Sequence, residues 1–488
     1  MQQTLFDKIW DFHRVAQRAD GRDLIYIDRH VLHELHAHHA FARLHKQGRP
    51  VRRADLTFAV QDHTVATRPG RDDDTNPPGS AFIKAMREGC RANGIRLFDI
   101  DDPEQGISHV VAPELGIVLP GATHAVPDSH ASTVGGVGAL AFGCGTSELA
   151  HILATQVMAL KRPKNMRVQL DGRLAAGVSA KDVALRIIAE IGVAGARGHV
   201  VEYAGAVVGA MPIEQRMTLC NLNIEMGGRS GLVAPDDVTF AWLARRPFVP
   251  QGMEWDRALR HWRRLASDEG AGFDRDVRLD CTILEPQITW GTDPSQVIGI
   301  SGRVPDPAAL DPGRRGAAAS AVGYMDLGPG TPLLGLPINR VFIGSCTNSR
   351  LPTCRLRPMS CAGGMLPKAS SLWWCQVRRA SNAMLRPPDS IACFARPDFS
   401  GANPDARCAP VAMAIVASPA SAASRPPTAI LKTARGQKCE RILPVRRLRP
   451  RAPSQVALPM RGNLRQGRHD AAVHLPHRHC RAIGQGRH

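Results

Sequence analysis

Apolar runs that stop on a short polar tip, then give way to helix-patterned sequence, constrain this chain more than any other feature. "LIYID" delivers Asp28, Arg29 and His30 at its end, "DLTFAV" is followed by Gln61-Asp62-His63, and "ATHAVP" by Asp128-Ser129-His130. Helical segments lie between such runs. "VSAKDVALRIIAEIG" has Ser179 as N-cap, Asp182 three residues on, apolar positions at Val183, Ile187, Ile188 and Ile191, and Gly192 as its stop. "MQQTLFDKIWDFHRV" sets Leu5, Phe6, Ile9 and Trp10 at helical period, unlike the basic-then-apolar layout of a secretory leader. Alternating strands and helices make an α/β fold, in which ligands gather beyond the carboxyl ends of the strands.

Those tips carry chemistry. A carboxylate beside an imidazole can orient it for proton transfer. One Asp-Ser-His is also what a capped turn looks like, but a second Asp-His tip in the same region points to a site. "GGVGALAFGCG" does not fit a nucleotide loop: Gly135, Gly136 and Gly138 lack the G-x-G-x-x-G spacing, so these glycines suit tight packing or a small anionic ligand. In "CNLNIEMGGRSGLVAPDD", Asn221, Glu225 and Arg229 recur every four residues, which on a helix is one stripe suited to a polyanionic acid and its proton donor. "VFIGSCTNSR" reads as a strand running into a turn that presents Cys346 next to Thr347 and Asn348. The Pro- and Arg-rich stretch from Gly302 to Ser320 reads as a surface linker before that strand.

The chain has 488 residues, enough for two to four domains, and a net charge of +18 that invites a nucleic-acid reading. The location of the charge argues against it. The stretch from Leu351 to His488 carries 23 Lys and Arg against 5 Asp and Glu, leaving 39 of each sign in residues 1–350. Seven of the twelve cysteines lie in that basic stretch as well, without period and without a Tyr for base stacking. No run of about 18 apolar residues suggests a membrane span, and the expected location is cytoplasmic.

In order, "QDH", "PDSHAS", "AFGCGTSE", "CNLNIEMGGRSGLVAPDD", "DEGAGFDRDVRLD", "PQITWGTDP" and "VFIGSCTNSR" resemble the aconitase superfamily over residues 1–350 almost continuously. The resemblance implies three α/β domains around a [4Fe–4S] cluster, with a fourth domain supplied by a separate small subunit that carries the catalytic base. It implies a hydro-lyase that isomerises 2-isopropylmalate to 3-isopropylmalate in leucine biosynthesis, with a methylmalate- or citramalate-type acid as the alternative. Carried over by motif, Asp62, His63, Asp128, His130 and Glu225 are the catalytic groups. Ser129, Asn221 and Asn348 would bind substrate, and Cys346 would be a cluster ligand. Pro127, Ala131 and Cys144 depart from the commoner Gly, Thr and Ile, which bears on the choice of hydroxyacid.

After Arg350 the family pattern stops. Its other two ligands, in a Cys-Ser-Met-Cys segment, and its Asn-Arg-Asn-Phe segment are not present. Reading the last base of each codon with the first two of the next, "SGANPDARCA" can spell Trp-Arg-Glu-Pro-Gly-Cys-Ser-Met-Cys. In the same frame "RPPTAILKTARG" can spell a stretch containing Asn-Arg-Asn-Phe. The expected organisation is therefore domains 1 and 2 over residues 1–300, a linker and the start of a third α/β domain over 301–350, and a tail over 351–488 that is out of frame and disordered. With that domain disrupted, two of three cluster ligands are missing. An inactive product of a shifted frame is the competing outcome, and nucleic-acid binding by the tail the reading from a different class.

Overall fold

The computed structural model describes residues 2–66, 70–343, 345–348 and 350, with backbone alone for the strand Ile338–Ile343 and for two short strands beyond it, Ser371–Trp374 and Ile415–Ala417. The rest of the expected tail, including the whole unit Pro444–His488, lies outside the described residues.

Five parallel strands form the first sheet, in the order Arg96–Phe98, Thr57–Val60, Arg29–His33, Thr123–Val126, Leu140–Gly143. Thr57–Val60 and Thr123–Val126 are buried at every residue, as strands covered on both faces must be, and this is why they read as unbroken apolar runs. From Arg29–His33 the chain winds outward in one direction, then begins again beside it at Thr123–Val126 and winds the other way. The order reverses between those two strands, and such a reversal opens a crevice at their carboxyl ends.

A second parallel sheet runs Ser230–Val233, His199–Ala204, Lys164–Asp171, Arg275–Asp280. Its helix Ala180–Ile191 has the expected capping box, Ser179 N–H donating to Asp182 Oδ2 at 2.7 Å and Gly192 closing it. Val183, Ile187 and Ile188 bury against that sheet. The N-terminal helix Leu5–His13 starts on a Thr4–Asp7 capping box and buries Trp10 completely, its Nε1 donating to Asp23 Oδ2 at 2.8 Å. Both sheets are α/β units of the kind the sequence pattern indicates.

The glycine stretch joins the two units. It forms a buried 3-10 turn, Ala131–Val137, pressed onto the helix Ile213–Asn221 and the strand Ser230–Val233. A Cβ on Gly135 would stand 1.7 Å from the Gly231 carbonyl oxygen, and one on Gly136 would stand 2.5 Å from the Met217 nitrogen. Close backbone approach is what these glycines serve.

The stretch from Gly302 to Ser320 differs from the linker reading. The helix Pro312–Met325 begins inside it, with Asp311 at the N-cap position, Pro312 in the first turn and an Ala-rich body. Proline is tolerated in the first turn, where its missing N–H is not needed, and alanine favours helix. Ala318 and Ala321 bury against Trp290, Val304 and Leu333 in a small core of their own. Beyond it Ile338–Ile343 pairs parallel with Ser371–Trp374 and antiparallel with Ile415–Ala417. Among the described residues no helix is long and apolar enough to cross a membrane.

Candidate functional site

Two of the three tips noted in the sequence sit at the switch-point end of the first sheet. Asp28, Arg29 and His30 instead lie at the amino-terminal end of Arg29–His33, reached from Asp23–Tyr26, a strand of a separate antiparallel sheet. Thr57–Val60 delivers Asp62 and His63, Thr123–Val126 delivers Asp128, Ser129 and His130, and the neighbouring Arg29–His33 delivers His33 and Glu34. Glu34, fully buried, organises the first tip. Its carboxylate accepts the backbone N–H groups of Asp62 at 3.0 Å, His63 at 2.7 Å and Thr64, and the Thr64 hydroxyl at 3.0 Å. His33 stacks on His63 with ring centroids 3.8 Å apart, and its Nε2 lies 2.8 Å from the Pro127 carbonyl oxygen. Sequence reasoning passed over both residues. Their signal was present, since "RHVLHEL" is also an apolar run ending in an imidazole and a carboxylate.

Asp62 contacts His63 Nδ1 directly. Burial pushes the Asp62 carboxyl up, but the facing His63 imidazole outweighs it and holds the group below the usual carboxylate range. For His63 burial pulls the other way, and Asp62, with Asp128 and Glu34 behind it, raises the imidazole to about 10. His63 is therefore cationic at neutral pH, with 32% of its side chain open to solvent where a ligand could meet it. Asp62 Oδ2 accepts the Ser108 N–H at 2.8 Å, and the Ser108 hydroxyl donates to Asp128 Oδ2 at 3.4 Å, so one residue ties the two acidic tips together.

Asp128 takes the His130 N–H at 2.8 Å. Burial favours its neutral form, but the surrounding imidazoles of His109, His63 and His130 hold it anionic, far below the ordinary range. His130 lies between two carboxylates, Nδ1 3.8 Å from Asp128 Oδ1 and Nε2 3.6 Å from Glu225 Oε1. Ser129 is exposed, its hydroxyl 3.4 Å from His130 Nδ1. Asn221 is buried at the end of Ile213–Asn221 and donates to Thr133 Oγ1 at 2.8 Å, leaving Oδ1 with no hydrogen bond among the described residues.

The expected stripe of Asn221, Glu225 and Arg229 is not one helix face. The helix ends at Asn221, Leu222–Met226 tightens into a 3-10 turn, and Gly227 at φ 81° reverses the chain. Glu225 still reaches His130, whereas Arg229 is exposed and takes no part. A Gly-Gly pair directly before Arg229 was the warning in the sequence.

From the third region come Cys346, Asn348 and Arg350. Thr218 donates to Asn348 Oδ1 at 3.2 Å, anchoring the turn on the helix that carries Asn221. Arg350, 1% exposed, donates from Nη1 to the Thr347 carbonyl at 2.9 Å and braces the turn from behind. Cys346 is half-buried, and its sulfur, a His109 nitrogen and a His130 nitrogen all lie within 4.8 Å of one another. His109 was not foreseen. It is fully buried, with its imidazole pulled down to about 3 by burial and hence neutral, and neither ring nitrogen has a hydrogen bond among the described residues.

An iron–sulfur cluster is held by several thiolates. Among the described residues this group offers one thiolate and two imidazoles. The other four described cysteines, Cys90, Cys144, Cys220 and Cys281, are buried in the cores of the two sheets. These residues do not fit a cluster, and the tail cysteines, Cys408 among them, lie outside the described residues. A cavity of about 330 Å³ lined by Arg29, Thr57, Arg96 and Phe248 lies at the opposite, amino-terminal end of the same strands and holds none of these groups.

Comparisons with known proteins match a family model and curated relatives. The family model described as aconitase family (aconitate hydratase) matches residues 7–363. The chain is 51% identical over 354 residues to the 3-isopropylmalate dehydratase large subunit 1 of Bradyrhizobium diazoefficiens, covering 72% of this chain and 74% of that relative.

Proposed function

This chain belongs to the aconitase family, an iron–sulfur hydro-lyase family, and we propose that it is the large subunit of a dehydratase isomerising 2-isopropylmalate to 3-isopropylmalate in leucine biosynthesis, together with a separate small subunit. The observation that carries the reading is the pair of carboxylate–imidazole units meeting at one switch point, Asp62 with His63 and Asp128 and Glu225 around His130. Removing water from a hydroxyacid and adding it back elsewhere needs one group to give a proton to the leaving hydroxyl and another to take a proton from carbon.

His63 is held cationic by Asp62 and suits the first task or the anchoring of a substrate carboxylate. His130 has a carboxylate 3.6–3.8 Å from each ring nitrogen and suits passing a proton between them, and Asp128 holds its backbone through the His130 N–H. The open Oδ1 of Asn221, the exposed Ser129 and the half-buried Asn348 would hold the acid's oxygens. In this reading Cys346 would be one of three thiolates holding a [4Fe–4S] cluster, which would polarise the substrate hydroxyl as a Lewis acid when bound, and its two partners would come from the shifted frame after Arg350.

The test compares the chain as written with a frame-restored version, each mixed with a small subunit from a matching dehydratase and 2-isopropylmalate. The restored version is expected to form 3-isopropylmalate and the written one to lack turnover. A restored version that binds cluster and small subunit but dehydrates only a methylmalate-type acid would overturn the substrate assignment. Turnover by the large chain alone would overturn the partner.

A further inference from the structure

We propose that the chain as written binds one four-coordinate divalent ion of the zinc class through Cys346, His109 and His130, in place of the cluster its family carries there. This goes beyond the dehydratase reading, because it concerns the donor set this chain itself presents. That set is one sulfur and two nitrogens within 4.8 Å. Thiolate with imidazole selects zinc-like ions, and a tetrahedral site sets such ligands about 3.4–3.8 Å apart. The gap between these separations closes by side-chain rotation of an ångström or so.

His109 is the second observation. A fully buried imidazole with no hydrogen bond on either nitrogen among the described residues costs free energy in a packed interior. A metal at this position would give one of those nitrogens a partner. Among the described residues His130 Nε2 also lacks a hydrogen bond, while its Nδ1 faces Asp128 across 3.8 Å, a small rotation from the orienting carboxylate contact that a metal-bound imidazole makes. Asp128 on that side and Glu225 on the other supply negative charge toward a dication. Binding displaces the Cys346 thiol proton to solvent, so uptake should release one proton per ion. The fourth position stays open to water.

Full-length chain, stripped of metal, is titrated with Zn²⁺ alone and, in parallel, with Co²⁺ as a coloured substitute. One ion per chain is expected, with the intense visible bands of four-coordinate cobalt and a near-ultraviolet thiolate-to-cobalt charge-transfer band. Cys346→Ser should abolish the charge-transfer band and weaken zinc by about 100-fold, and His109→Gln by about 10-fold, while Cys408→Ser changes neither. A band that survives Cys346→Ser, or one lost in Cys408→Ser, assigns the metal to tail cysteines and overturns the proposal. If a substituted chain unfolds, alkylation of Cys346 in the unsubstituted chain decides. Zn²⁺ should slow it about 10-fold, and an unchanged rate overturns the site. The dehydratase reading is tested on a different molecule, the frame-restored chain with its small subunit, so either can fail alone.

Discussion

The first sheet and the region after Ile338 contribute to one site in opposite ways. In the first, three neighbouring strands end in carboxylates and imidazoles, and each tip is fastened by contacts from another segment: Glu34 to the tip at 62–64, Ser108 between Asp62 and Asp128. In the second, one strand ends in one turn that offers one thiolate, braced by Thr218 and Arg350. Proton-handling groups survive as a set because all of them but Glu225, which comes from the second sheet's region, are built within one folded unit. The metal-holding set would have to draw its remaining thiolates from sequence after Arg350, where the hydrophobic period is lost.

The strongest way to break the contrast is to unfasten the first region. Glu34→Ala removes a buried carboxylate that accepts three backbone N–H groups. Leaving those donors unpaired should cost about 3–5 kcal/mol, read as a drop in the urea midpoint, with Glu34→Gln costing about half as much. A loss below about 1 kcal/mol would mean that water satisfies the tip and that the first region is no better fastened than the third.

Next in size is the seam between the sheets. Gly135→Ala places a methyl against the Gly231 carbonyl, where backbone and not a flexible side chain must yield. Overpacking of this kind should cost about 3 kcal/mol and lower the melting temperature. Because Ala131–Val137 directly follows His130, the same change should also loosen the Glu225 contact. An unchanged melting temperature would show that the two units slide freely past one another.

What could be read from the sequence followed how local each feature was. The Ser179–Asp182 cap and the apolar strands were legible because their causes lie within a few residues. Asp62, His63, Asp128 and His130 were legible because they terminate such strands. Glu34 and His109 were not, since what makes them important is a contact made 28 or more residues away, to Asp62 and beyond, or with Cys346. The stripe at Asn221 failed for a local reason that was visible, the Gly227-Gly228 pair. Neither sheet's strand order could be derived from pattern alone.

A pH series sharpens the comparison by a smaller amount. Folding raises His63 above its unfolded value, so its contribution is complete below that value, near 6.5, and fades as pH rises toward about 10. Asp62 is the mirror case, present above the ordinary carboxylate value and lost as pH falls through its depressed one. Between pH 8 and 11 the unsubstituted chain should lose about 1 kcal/mol more than His63→Gln, a figure discounted because a third of that side chain meets solvent. Parallel pH profiles would remove His63 from the list of charged groups at the site.

The smallest effect is expected from cutting the second region short. The cores of both parallel sheets are built from residues before Trp290, and the small core around Trp290 ends at Leu336. The described links to the stretch after Arg350 are two ladders of three and four residues on Ile338–Ile343. That stretch also holds the whole excess of positive charge, whose removal relieves self-repulsion. Ending the chain at Arg350 should therefore move the urea-derived stability of the sheets by about 1 kcal/mol or less. Limited proteolysis of the full chain should trim it to a resistant core ending near the same residue. Resistance running evenly to the C-terminus, or a truncated chain that loses its cooperative transition, would show that the tail packs on the scaffold. The contrast between a self-sufficient first region and a dependent third one would then fail.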